Sequence, residues 1–190
     1  MSRRKIILII TFLAFANCIN SKSFGQLYFT KNGRISFFSK ALIENIKADN
    51  NQVISLLNTQ TGDLQFSVLI NAFHFPKAMM EQHFNSDYME SGKYPKSTFK
   101  GKVNDMSLVD VGKDGKYNVN VTGALSIHGV TKNITAPGAI IIKEGEFSAN
   151  STFKILLKDY NIKIPAIVVN NISENIEITI SGNYEKKSSN

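Results

Sequence analysis

The sequence predicts an all-β protein, an antiparallel β-barrel of about eight strands with one short amphipathic helix crossing an end. Three observations predict it. Apolar and polar residues alternate at period two through much of the chain, as at Tyr117-Val119-Val121, Phe147-Ala149-Ser151-Phe153-Ile155 and Ile176-Ile178-Ile180, which is the pattern of half-buried strands. Compact turn signals punctuate the alternation at Asn50-Asn51, Thr61-Gly62-Asp63, Gly112-Lys113-Asp114-Gly115 and Lys143-Glu144-Gly145-Glu146, and connections this short join antiparallel neighbours. No long amphipathic helix recurs between strands at the spacing a parallel sheet needs. With 190 residues, 43% of them hydrophobic, the chain suits one domain around one core.

The elements follow in order. Residues 1–25 read as a secretory signal peptide: Ser2-Arg3-Arg4-Lys5 is a basic start, Ile6 to Ala16 an apolar run, and Ser23-Phe24-Gly25 a small-residue cleavage site. The run is too short for the roughly 20 residues of a membrane-crossing helix. Cys18 offers lipidation as an alternative anchor, although Phe15-Ala16-Asn17 before it fits a bacterial lipobox poorly. The expected location is therefore periplasmic or secreted. Strand candidates then fall near 27–31, 34–40, 43–49, 52–57, 63–75, 97–110, 116–127, 130–142, 146–158 and 172–182. Between the fifth and sixth, Phe75 to Gly92 breaks the alternation. Pro76 suits a first helical turn, and Met79, Met80, His83 and Phe84 recur at spacings of three and four, which places them on one face. The barrel domain is expected over 26–182, followed by a polar tail at 183–190.

Charge excludes one class of partner. The chain carries 22 Lys and Arg against 15 Asp and Glu. Removing the four basic residues of positions 1–25 leaves 18, a net +3, in which Arg34 is the only arginine. Nucleic-acid readers favour the bidentate guanidinium, so no nucleic-acid role is expected. One cysteine excludes an internal disulfide, and with three histidines no thiolate-rich metal site is available. No cofactor and no metal is expected.

Three motifs carry a family resemblance. His83-Phe84-Asn85-Ser86-Asp87-Tyr88-Met89-Glu90-Ser91, with Lys93-Tyr94-Pro95 and Phe99-Lys100-Gly101 after it, resembles the centre of the YceI-like family of exported bacterial lipid-binding proteins. Gly123-Ala124-Leu125-Ser126-Ile127-His128-Gly129-Val130-Thr131-Lys132 is similar to that family's L-x-I-H-G-V-T-K turn. Phe153-Lys154-Ile155 through Leu157-Lys158-Asp159-Tyr160-Asn161-Ile162 is similar to its F-x-I-x-L-x-D-Y-G-I segment, with Asn161 where the family has Gly. The resemblance spans about Gly33 to Ile180. It implies a lipocalin-like barrel that encloses a polyisoprenoid or another long amphiphile and performs no chemistry.

A barrel of this size either fills its interior or lines a cavity. If it is hollow, the expected apolar wall comprises Phe37, Phe66, Phe73, Phe75, Met79, Met80, His83, Phe84, Tyr88, Phe99, Leu125 and Phe153. The rival reading is a structural or stress-related envelope protein with a filled barrel and protein partners. His83 invites a haem-ligand or headgroup role, but a ring bonded to a backbone carbonyl is the plainer assignment. His128-Gly129 reads as a turn device, since no Ser, Cys or Asp stands locally to make a catalytic pair. Lys93, Lys96, Lys100 and Lys102 suggest transient contact with an anionic membrane, or simply a solvated strand face.

Overall fold

The computed structural model describes residues 26–187, in which eight strands close into one antiparallel barrel, each pairing with its sequence neighbour and β1 with β8. The strands are β1 (Leu27–Ser39), β2 (Ile46–Asn58), β3 (Asp63–Leu69), β4 (Lys96–Val103), β5 (Gly115–Ile127), β6 (Val130–Lys143), β7 (Glu146–Leu156) and β8 (Asn175–Lys186). Closure leaves no unpaired edge. The leader expected at 1–25 lies outside the described residues.

Ten expected strands become eight because two apparent breaks are β-bulges. Thr30 pairs with Ser55 and Gly33 with Val53, so β1 carries an extra residue; Gly33 to Ile35 then faces Val53 to Asn50, so β2 carries one in turn. Each bulge reverses the parity of the side chains. On β2 the inward residues run Ala48 and Asn50, then Val53, Ser55 and Leu57, all buried. A parity reversal inside one strand looks in sequence like two strands and a turn, which corrects the turn expected at Asn50-Asn51. The buried Asn50 holds the bulge: its Nδ2 donates to the Leu69 carbonyl at 2.8 Å and its Oδ1 accepts from Gln52 N–H at 2.7 Å.

Three other boundaries move. The strand expected over 63–75 ends at Leu69, where Ile70–Ala72 form a 3₁₀ turn. The one expected over 97–110 ends at Val103, and Met106–Leu108 turn across the barrel end. The polar tail expected from 183 belongs to β8 as far as Lys186, because Tyr184 is an inward, buried residue of that strand.

The connections divide unequally between the two ends. One end has only the short links 59–62 and 144–145 and the 104–114 segment, whose Met106 and Val109 are buried and plug the barrel. The other end carries the long connections: residues 40–45, 70–95 and 157–174. The one α-helix among the described residues, α1 (Ala78–His83), lies there and runs into a π-turn at Phe84–Tyr88. Only the two-residue β5–β6 turn is tight at this end. It places His128 at φ 49° and Gly129 at φ 75°, and a Cβ on Gly129 would sit 2.6 Å from the Tyr94 ring, so the second position requires glycine.

Candidate binding cavity

The barrel interior is not filled. Its buried apolar residues form two clusters, and Phe66, Phe84, Phe153, Ile155 and Leu157 border both. Between them runs a cavity of about 590 Å³, within the roughly 300–1,000 Å³ of small-molecule sites. It opens at the end with long connections, between residues 40–45, the helix and residues 161–172, and reaches Val103, Ala139 and Tyr184 towards the plugged end.

Inward parity explains who lines it. On β5 the half-buried Val119 and Val121 face in, opposite Gly138 and Ala136 of β6. Small residues there leave volume that larger side chains would fill. Gly101 of β4 pairs with Gly123 of β5, and Phe99 lays its ring across them: a Cβ on either glycine would come within 2.6–2.7 Å of Phe99 Cζ. The two glycines thus let an aromatic lie flat against the wall instead of crossing the cavity.

The mouth is framed by phenylalanine. Phe84 of the π-turn lies 5.5 Å from Phe37, 5.5 Å from Phe73 and 5.0 Å from Phe75, centroid to centroid. Met80, Phe84 and Tyr88 are four residues apart and share the inward stripe of the helix and π-turn, which the cavity touches. Of the remaining nominated residues, Phe66, Phe99, Leu125 and Phe153 border the cavity deeper in, and His83 borders it at the rim. Met79 does not. It is 71% exposed, because a helix this short presents one stripe and Met79 sits one residue off it, so the expectation that Met79 lines the pocket is corrected.

The ionisable groups at the mouth are Glu44, His83 and Asp87, with the neutral Ser39 and Asn171 beside them, and no Lys or Arg lines the cavity among the described residues. His83 Nδ1 lies 2.7 Å from Asp87 Oδ2, which replaces the backbone-carbonyl contact expected for this ring. The Ser86 hydroxyl, followed by His83, holds the Asp87 carboxyl below the usual carboxylate range. Among the described residues no group of three His, Cys, Asp or Glu is placed to hold a metal.

Sequence reasoning missed two parts of this site. One is the aliphatic wall of β5, β6 and β8, signalled only by the small residues Ala136 and Gly138 opposite the β5 valines. The other is a polar tie beside the mouth. His128 donates from Nδ1 to the Tyr160 carbonyl at 3.2 Å, and its Nε2 lies 2.8 Å from Glu90 Oε2. The β5–β6 turn is thereby bound to two of the three long connections, 70–95 and 157–174, with Asn161 after Tyr160 in a left-handed conformation at φ 56°. Asparagine tolerates that conformation best after glycine, which explains its presence where the resembling motif has Gly.

Comparison with known proteins agrees with the geometry. The YceI-like domain matches residues 23–184. Protein YceI of Escherichia coli O17:K52:H18 (strain UMN026 / ExPEC) is 35% identical over 95 residues, 45% of this chain and 44% of that protein, so the chain spans less than half the length of the curated relatives it matches. Among solved structures, a polyisoprenoid binding domain from Saccharophagus degradans implicated in plant cell wall breakdown superposes with a TM-score of 0.74 at 14% identity, covering 86% of this chain and 99% of that one. Burkholderia cenocepacia BcnA superposes with a TM-score of 0.66 at 17% identity, covering 80% and 96%. Both share the fold. With the domain match running through all eight strands as far as Tyr184, this chain belongs to the YceI-like domain family.

Proposed function

We propose that this chain is an exported, non-enzymatic binding protein that carries one long-chain amphiphile of the polyisoprenoid type in its barrel. The observation that carries the reading is the apolar cavity of about 590 Å³ with a mouth framed by phenylalanine. An apolar tunnel recognises a chain by area, at roughly 25 cal/mol per Å² buried, and asks for no catalytic group. The description of the Saccharophagus degradans domain as polyisoprenoid binding supports the ligand class. The basic start and apolar run of residues 1–16 support export to the periplasm or beyond. The mouth supports a neutral polar end group, an alcohol or a quinone, over a phosphate, because Glu44 and Asp87 line it and the nearby Lys77 is already paired with Glu44. The cavity counts against a filled-barrel envelope protein, which would have no use for the space.

Mass spectrometry of organic extracts from natively produced protein tests the reading. The expected result is about one long-chain amphiphile per chain, without a phosphate. Val121→Trp, which fills the cavity from a half-buried wall position, is expected to keep the barrel folded and lose the lipid. Native protein without a stoichiometric amphiphile overturns the reading.

A further inference from the structure

We infer that the rim of the cavity mouth docks on a lipid bilayer, inserting Leu42, Ile43, Met79, Ile167 and Val169 so that the mouth opens onto hydrocarbon; the inference rests on the cavity being a lipid site. These five are among the eight exposed large apolar side chains of the described residues, at 88%, 71%, 71%, 94% and 53% exposure. All five stand at one end of the barrel. They come from three connections that the structure ties together: Ile43 N–H donates to the Asn170 carbonyl at 3.3 Å, and Lys77, just before α1, pairs with Glu44 at 2.5 Å.

Four of the five border the cavity or adjoin a residue that does, and Leu42 stands one position before Ile43. Ile43 precedes Glu44, Met79 precedes Met80, and Val168 lies between Ile167 and Val169, with Ile167 itself at the cavity edge. On the α1 and 161–172 sides, through Met80, Ile167 and Val168, apolar side chains thus run from the tunnel wall to the rim. Apolar surface gathered like this marks an interaction site. A protein seated on the rim would cap the tunnel, whereas a bilayer supplies the medium from which an amphiphile can slide in without its chain crossing water.

Charge contributes little to this docking. On the three connections that carry the rim, Lys40, Lys77 and Lys163 are offset by Glu44, Glu81 and Asp87, with Lys77 paired to Glu44, so the surface attracts neither sign strongly. Lys96, Lys100 and Lys102 lie on the outer face of β4, Lys96 at its open-end start and Lys102 at the far end, paired to Asp63 at 3.5 Å; that is the solvated strand face, and only Lys96 of the three stands near the rim. Attachment by apolar insertion is insensitive to salt, unlike attachment by lysines.

The test places an environment-sensitive fluorophore on the full chain in a Cys18→Ser background, at Ile167→Cys or, at the plugged end, at Leu108→Cys. Phosphatidylcholine vesicles are expected to blue-shift the label at position 167 and not the one at 108, equally at low and high salt. Adding Leu42→Ser, Ile43→Ser and Val169→Ser is expected to weaken the vesicle response roughly tenfold or more while the extracted lipid content stays constant. Shifts at both positions or at neither overturn the inference, since a leader acting as a tether would not bury the rim. A shift without vesicles that grows with protein concentration also overturns it, by making the rim a contact between copies. Insertion in a protein whose extract holds no amphiphile sustains the docking and overturns the cavity reading; amphiphile without insertion does the reverse.

Discussion

At the plugged end of the barrel Tyr28 stacks on Phe147 at 4.5 Å, and Phe147 meets the edge of Tyr184 at 5.6 Å. At the open end Phe37, Phe73, Phe75 and Phe84 meet at similar distances of 5.0–5.6 Å. The chemistry is alike and the outcome differs because of what carries the rings. Those at the plugged end sit on β1, β7 and β8 with strand partners on both sides, and Phe147 and Tyr184 are almost fully buried. At the open end three of the four, Phe73, Phe75 and Phe84, sit on the 70–95 connection without strand pairing, and Phe84 keeps partial exposure. The same aromatic surface thus closes one end and frames an opening at the other. What teaches the difference is backbone anchorage, not residue type.

Truncation at the two ends separates these roles and has the largest expected effect. Tyr184→Ala removes a buried ring and the hydroxyl that donates to the buried Ser55 at 2.8 Å, and is expected to cost about 3–5 kcal/mol in denaturant unfolding. Phe84→Ala is expected to cost about 1–2 kcal/mol, because the ring is only half-buried, yet to lose more of the bound amphiphile. Equal stability losses at both positions, or a greater lipid loss in Tyr184→Ala, would break the comparison.

Alkaline titration sharpens it. Burial pushes the Tyr184 hydroxyl up to about 12, with the Ser55 bond opposing in part. The fold keeps this phenol neutral where the unfolded chain ionises near 10. The stability it confers is therefore complete below about pH 10 and is lost as pH rises towards about 12, a loss of roughly 2–3 kcal/mol. Burial, and then Asp159, also raises Tyr160 at the open end. Tyr184→Phe is consequently expected to flatten the alkaline slope of the unfolding free energy without abolishing it. An unchanged slope would show that the plugged end is wetter than its packing requires.

How much of this was legible in the sequence follows the same division. The regular strands β5, β6 and β7 announce themselves by alternation at Tyr117-Val119-Val121 and Phe147-Ala149 and by the Gly145 turn, since strand parity and turn conformation are local properties. β1 and β2 did not, because the bulges near Gly33 and Asn50 invert parity, and only the partner strand shows that the inversion is shared. Phe37, Phe84 and Phe153 were legible as wall candidates by their size. Val121, Ala136 and Gly138 were not, since what they contribute is absent volume, which exists only once both strands are in place. The rim residues Leu42 and Ile167 lie in connections without periodicity, and their juxtaposition depends on the Ile43–Asn170 hydrogen bond.

The smallest expected effect concerns one polar tie at each end. His128 binds the β5–β6 turn to Glu90 and to Tyr160 at the mouth. At the plugged end both Asp114 carboxylate oxygens accept the Glu144 N–H at 3.0 Å and hold the β6–β7 turn. His128→Asn keeps a residue that tolerates the left-handed turn position but is too short to reach both partners, and Asp114→Asn keeps the shape while removing the charge. Each is expected to cost only about 1 kcal/mol. The consequences diverge because the structures they hold diverge. Loosening Glu90 frees the segment behind the π-turn, so His128→Asn is expected to speed amide exchange at Met89 and Tyr94 and to hasten release of the bound amphiphile. Asp114→Asn leaves both unchanged, since nothing at its end has to open. Faster exchange at Met89 in both variants would mean that the two ends are coupled through the barrel wall and that the mouth is not an independent unit of opening.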